Sequence, residues 1–177
     1  MTLSGKTSLF ARKAPPQISR AATGGRIDRG TPVSFIFDGR TYQGYEGDTL
    51  ASALLANNVH LVGRSFKYHR PRGILASGSE EPNALVRVGR GAHAEPNLRA
   101  TQVEIHDGLY AESQNRFPSL KCDVGAVNSA LQAFFPAGFY YKTFMWPASM
   151  WMTYEHVIRH AAGLGRVADI HDDPDRY

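Results

Sequence analysis

The sequence predicts an α+β fold in which a mixed sheet of short strands is crossed by one helix. Three observations lead to this prediction. Val33, Phe35 and Phe37 alternate with Ser34, Ile36 and Asp38, an Asp38-Gly39 dipeptide follows, and an alanine-rich apolar stretch opens at Asp48. Alternation with a period of two is typical of a strand with one buried face. A chain of 177 residues suits one such domain with tails.

The first elements are predicted to be a hairpin and a helix. Asp38-Gly39 favours a type I′ turn, because both central residues of that turn need a positive φ, so residues 41–45 should pair back on 33–37. Asp48 is a suitable N-cap for the helix, and Asn57-Asn58 is a suitable stop. A hairpin followed by a crossing helix is the opening of a β-grasp arrangement.

Further strands are predicted at 84–88, 101–106 and 109–112, with a polar loop over 89–97 and a tight turn at Asp107-Gly108. The chain then divides into four regions. A basic flexible arm covers 1–25, the β-grasp domain covers 26–115, an aromatic-rich extension with short helices covers 116–168, and a linker covers 169–177. The linker is acidic and contains proline, and it has no reason to fold alone.

Composition excludes several classes of function. The formal net charge of +4 is too mild to indicate a nucleic-acid partner. No segment has the roughly 20 apolar residues in a row that a membrane span needs. The single cysteine, Cys122, excludes an internal disulfide and any cluster held by several thiolates of this chain. It also fits a reducing, cytoplasmic compartment.

A dense basic segment carries the first candidate site. Its members are Arg64, Lys67, His69, Arg70 and Arg72. One interpretation is a phosphate site for a flavin or dinucleotide, because arginine presents a planar fork of donors to phosphate. The other is a subunit or interdomain contact anchored by Phe66 and Tyr68, since arginine and aromatic residues are enriched together at interfaces. The residues alone leave both interpretations open.

An aromatic stretch carries the second candidate site. Nine of the twenty-one residues from 134 to 154 are aromatic, and a helix is predicted from about 147 to 162. We expect this stretch to pack on a neighbouring domain or a partner subunit, the alternative being a core for the last fifty residues. The interface candidates are Phe139, Tyr140, Tyr141, Phe144, Trp146 and Trp151.

Other pairs of reactive residues give no catalytic or metal site. His156 and His160 have a helical spacing that zinc sites use, but no third thiolate lies nearby and the order Glu155-His156 does not give the His-Glu-x-x-His pattern. Glu80 and Glu81 are adjacent carboxylates, for which a place in a loop before a strand is the simpler explanation. Cys122 has no identifiable base partner and is best explained as a small apolar residue.

Long and unusual segments carry a family resemblance. They are 64–74 (RSFKYHRPRGI), 80–86 (EEPNALV), 139–147 (FYYKTFMWP) and 173–177 (DPDRY). The chain resembles the N-terminal region of the alpha subunits of heterotetrameric sarcosine oxidases. The resemblance implies a 2Fe–2S ferredoxin-like domain. Cysteine-bearing relatives would place cluster ligands near Leu75, Glu80, Asn83 and either Ala100 or Thr101, and none of these is a thiolate.

The resemblance also implies a function for the whole complex. That complex oxidatively demethylates sarcosine to glycine, linked to tetrahydrofolate, with FAD, FMN and NAD held outside this chain. The implied partners are the beta, gamma and delta subunits and the remaining domains of the alpha subunit. The resemblance implies that the 169–177 linker leads into the first of these domains, a dinucleotide-binding domain absent from this chain. This chain, as a fragment without a cofactor of its own, is expected to be an inactive scaffold. The alternatives are a 2Fe–2S electron-transfer module of an amine or opine oxidoreductase and a stand-alone binding module.

Overall fold

A computed structural model describes residues 17–66, 68–130 and 147–162. Its first element is an antiparallel hairpin of β1 (Asp28–Phe37) and β2 (Arg40–Glu46), in which Phe37 pairs with Arg40. Asp38 and Gly39 both have positive φ, at 47° and 74°, as a type I′ turn requires. The predicted hairpin is confirmed, and each strand is longer than predicted.

The helix α1 (Leu50–Ala56) follows at the predicted place. Its N-cap is Thr49, whose side chain accepts the Ser52 N–H, so the prediction of Asp48 as the cap was wrong by one residue. The Asp48 carboxylate instead accepts two hydrogen bonds from the Arg20 guanidinium, at 3.1 and 2.5 Å, and one from the Tyr45 N–H. These bonds close the corner between β2 and α1.

The sheet is completed by β5 (Leu85–Val88), β6 (Glu95–Arg99) and β7 (Tyr110–Ser113). The strand order is β2-β1-β7-β5-β6. β1 and β7 are parallel, whereas β5 is antiparallel to both β6 and β7. The sheet is therefore mixed, as predicted. A separate two-stranded ribbon joins β3 (Gly63–Arg64) to β4 (Pro71–Arg72).

The predicted strand at 101–106 was wrong. The sheet strand lies earlier, at β6, within and beyond the segment predicted to be a polar loop. Residues 101–106 turn toward the start of α1, where the Val103 carbonyl accepts the Leu50 N–H and Ile105 donates to the Asp48 carbonyl. Their apolar alternation therefore serves packing against the helix instead of sheet pairing.

The core lies between α1 and the sheet. Phe35, Leu50, Leu54 and Val86 are fully buried there. A Cβ at Gly44 would lie 2.3 Å from Ile105 Cδ1, so the missing side chain lets the helix and the 101–106 turn approach β2. Ala84, at the end of the segment between β4 and β5, belongs to this core, and Ile74, near the start of that segment, packs against it.

In the part of the chain that the structure describes, two α-helices follow the sheet, α2 (Val127–Ala130) and α3 (Trp151–Ala162). α3 lies within the helix predicted at 147–162. Residues 134–146 of the aromatic stretch lie outside the described residues, and so do residues 1–16 of the basic arm and the linker at 169–177. Within the described ranges, none of the helices has the length and hydropathy of a membrane span.

Candidate functional site: a buried carboxylate in the 73–84 loop

The segment between β4 and β5, called here the 73–84 loop, is where the sequence resemblance places cluster ligands. Its C-terminal end is fixed by a hydrogen bond from the Ala100 N–H to the Ala84 carbonyl at 2.8 Å. Its middle is fixed by the Thr101 hydroxyl, which donates to the Gly78 carbonyl at 2.8 Å. The positions expected for the fourth ligand thus brace the loop through hydrogen bonds.

Glu81 occupies the centre of this loop. One carboxylate oxygen, Oε2, accepts the N–H groups of Leu75 and Ala76 at 2.6 and 2.5 Å. The other, Oε1, accepts those of Asn83 and Ala84 at 2.7 and 3.2 Å. Only 1% of the residue is exposed. Four backbone donors therefore converge on one buried carboxylate.

The ionisation of Glu81 follows from this geometry. Burial alone would raise the pKa of its carboxyl group, because a charged group loses water. The amide hydrogen bonds from Ala76, Asn83, Leu75 and Ala84 act in the opposite direction and hold the pKa below its ordinary value. Glu81 is therefore an anion at neutral pH.

The neighbouring Glu80 behaves differently. It is exposed and accepts the Gly78 N–H at 3.2 Å. Sequence reasoning treated Glu80 and Glu81 as one acidic pair and placed a cluster position near Glu80. The structure shows that Glu81 is the buried member. Two of the positions expected for ligands, Leu75 and Asn83, instead donate their N–H groups to it.

The residues of this site do not fit a 2Fe–2S cluster. Such clusters are held by cysteine thiolates, with histidine in some cases. The sequence has one cysteine, Cys122, which is exposed and lies outside the 73–84 loop. Within the part of the chain that the structure describes, no group of three His, Cys, Asp or Glu residues is placed to hold a metal ion.

The basic segment forms a second, separate centre. Arg64 donates to the Leu120 carbonyl through Nε at 2.9 Å and to the His69 carbonyl through Nη1 at 2.8 Å. His69 Nδ1 lies 2.7 Å from Asp123 Oδ2. Arg64 Nε lies 3.4 Å from the same oxygen, and the Asp123 side chain is fully buried.

We call this group the Asp123 junction: Arg64, His69, Leu120, Asp123 and Gly125. Asp123 Oδ1 also accepts the N–H groups of Phe117 and Gly125, at 2.9 and 3.2 Å. The junction fastens residues 117–125 to the β3–β4 ribbon. Sequence reasoning missed Asp123, because its side-chain partners, Arg64 and His69, lie more than fifty residues away in the chain.

The other predicted site residues are more exposed. Arg70 lies over the Tyr68 ring, with 5.0 Å between its guanidinium carbon and the ring centroid. Arg72 lies in β4, and Phe66 is half exposed. Lys67 lies outside the described residues, as do five interface candidates: Phe139, Tyr140, Tyr141, Phe144 and Trp146.

Trp151, in α3, and His156 are both exposed. The side chain of His160 is outside the description, so the structure does not test the predicted histidine pair.

Comparison with known proteins agrees with the fold. Residues 30–116 match the family described as "2Fe-2S iron-sulfur cluster binding domain". The sarcosine oxidase alpha subunit of Rhizobium meliloti (strain 1021) is 66% identical over 154 residues, which is 86% of this chain and 16% of that protein. The alpha subunit from Corynebacterium sp. (strain U-96) is 45% identical over 101 residues, 55% of this chain and 10% of that protein.

Among solved structures, the L-proline dehydrogenase of P. horikoshii is 30% identical, with a TM-score of 0.40 over 49% of this chain and 16% of that one.

Residues 30–116 match a 2Fe–2S domain family, and the mixed sheet with few helices in the described residues is consistent with a ferredoxin-like fold. The predicted resemblance to sarcosine oxidase alpha subunits is confirmed. The chain spans about one sixth of the length of the first of these relatives.

Proposed function

We propose that this chain is the N-terminal scaffold and interface segment of a sarcosine oxidase alpha subunit. The identity of 66% over most of the chain supports the choice of family. The observation that carries the scaffold role is the 73–84 loop, where a buried glutamate stands and no thiolate is available. A domain with this frame and no electron carrier contributes shape and contact surface.

The contact surface includes exposed apolar side chains on the two segments that the Asp123 junction joins. Phe66 is 50% exposed, Phe117 72% and Val124 61%. Exposed apolar side chains on two segments that are joined in this way favour a site of protein contact. Arg70 and Tyr68 add the arginine and aromatic character that interfaces favour. This supports the interface interpretation of the basic segment over the phosphate one.

The proposal includes the setting of this surface. Its occupants are the remaining domains of the alpha subunit and the beta, gamma and delta subunits. FAD, FMN and NAD are held outside this chain, and the tetrahydrofolate-linked demethylation of sarcosine belongs to the whole complex. We propose a cytoplasmic location, which the single cysteine of the sequence supports.

Co-purification tests the proposal. The tagged chain, produced together with the remaining alpha domains and the other subunits, should retain them. Phe66→Ser should weaken that retention by about tenfold or more, as expected for a central aromatic contact, without changing the melting temperature.

The matched control is Ile18→Ser, which also removes an exposed apolar side chain, 68% exposed, but on the side of α1. It should retain the partners as the unaltered chain does. A chain that binds none of these polypeptides, or equal retention by the two variants, would contradict the proposal.

A second function, a 2Fe–2S electron-transfer module, is favoured by the family that matches residues 30–116. It requires thiolate ligands that the loop does not supply. The visible absorption of the purified chain separates the two functions. A scaffold absorbs only in the ultraviolet, whereas a cluster adds charge-transfer bands.

A further inference from the structure

The 73–84 loop has the form of an anion-binding site. The N–H groups of residues 75 and 76 enter from one end of the loop, and those of 83 and 84 enter from the other. Successive backbone N–H groups that point into a concavity bind anions, including phosphates and iron–sulfur clusters. The domain family that matches this stretch is described by such a cluster.

We infer that this loop is a carboxylate-binding cradle whose occupant is the chain's own Glu81, and that this carboxylate takes the central anionic position in place of a 2Fe–2S cluster. A carboxylate and a cluster can both accept hydrogen bonds from the loop. Hydrogen bonds from the protein to the sulfurs are one way in which a cluster is held and tuned. A carboxylate oxygen accepts the same kind of bond and needs no thiolate ligands.

Glu81 uses all four of these N–H donors. Each carboxylate oxygen has two N–H partners, so the four amides have no free capacity for a second anion. The loop is also closed from β6 and the turn after it: Arg99 Nε donates to the Glu81 carbonyl at 3.2 Å and the Thr101 hydroxyl donates to the Gly78 carbonyl. Glu80, the neighbouring charge, is turned to solvent.

Glu81 and its four N–H donors all lie in this chain, and this inference rests on their arrangement alone. It does not depend on which partners the chain binds, so it and the proposed function can fail separately. The direction of the Glu81 pKa agrees with it, since the bonds that hold the anion in place also disfavour its protonation.

The first test is an NMR titration of the unaltered chain. The carboxyl carbon of Glu81 and the amide protons of Leu75, Ala76, Asn83 and Ala84 should move together with one midpoint, below the ordinary value of a glutamate. A midpoint at or above that value, or amide protons that do not follow the carboxyl carbon, would overturn the inference.

The second test is Glu81→Gln, with Glu80→Gln as the matched control in the same loop. A neutral amide side chain brings an NH2 group against the backbone donors, so hydrogen-exchange protection of the four amides should fall by roughly tenfold or more. Glu80→Gln should leave those amides unchanged. Equal protection in the two variants would also overturn the inference. If Glu81→Gln does not fold, the titration of the unaltered chain decides alone.

Discussion

Two buried carboxylates, Glu81 in the 73–84 loop and Asp123 in the junction, are stabilised in different ways. Glu81 accepts four backbone N–H groups, all within six residues of it in the chain. Asp123 accepts two N–H groups close to it in sequence, but its second oxygen contacts the side chains of Arg64 and His69. These lie more than fifty residues away.

The difference separates two structural roles. A carboxylate held by its own loop gives that loop a shape and adds little to the connection between distant segments. A carboxylate held by side chains from another part of the chain, one of them a guanidinium, fastens the two parts together, because a buried charge without its partner is costly. Glu81 therefore organises a loop, whereas Asp123 attaches residues 117–125 to the domain.

The largest expected effect is that of Asp123→Ala. This change leaves the buried Arg64 guanidinium without its carboxylate, and breaking a buried ion pair costs about 3–5 kcal/mol. Urea unfolding at pH 7 measures the loss in the free energy of unfolding. Asp107→Ala, which removes an exposed carboxylate with one backbone partner, should cost about 1 kcal/mol or less. Equal losses from the two changes would remove the distinction between the roles.

An intermediate effect is expected from Glu81, and it depends on pH. Its folded pKa is lowered, so its contribution to stability is fully present above the unfolded pKa and is lost as pH falls through the folded pKa. The free energy of unfolding should therefore fall as the pH drops through and below the ordinary pKa of a glutamate, because this carboxylate becomes protonated. In Glu81→Gln this part of the fall should be absent. An identical pH profile in the variant would contradict the account of the loop.

The smallest effect is expected from Gly125→Ala, which tests the contact between His69 and Asp123 in the junction. A Cβ at Gly125 would lie 2.3 Å from Nδ1 and Cε1 of His69, so Gly125→Ala should displace the imidazole ring from Asp123. We expect a loss of about 1–2 kcal/mol by this overpacking. In a His69→Ala background most of that loss should disappear, because the two changes act on one contact. Additive losses in the double variant would show that the ring is not what the new methyl group meets.

Elements set by nearby residues could be predicted from the sequence. The β1–β2 hairpin follows from Asp38-Gly39 and its alternating flanks, and α1 follows from a cap and a stop only a few residues apart. The 101–106 segment could not be assigned in the same way. Its alternation is that of a strand, but its hydrogen bonds go to the start of α1, and no local signal distinguishes these partners.

The place of the candidate site could be predicted from the sequence, but the identity of the residue at its centre could not. The sequence resemblance pointed to the 73–84 loop and showed that thiolates are missing from it. It did not show which of Glu80 and Glu81 is buried, because that depends on the direction in which the loop backbone turns its N–H groups. Asp123 was missed for a related reason, since the contacts that make it important join segments remote in sequence.

The central claim is that a ferredoxin-type frame holds a carboxylate where a cluster would be. Its most direct test is anaerobic reconstitution of the chain with iron and sulfide, followed by measurement of the bound iron and acid-labile sulfide. We expect background amounts of iron and sulfide, and no cluster signal in the electron paramagnetic resonance spectrum of the reduced sample. Two irons and two sulfides bound per chain would contradict it.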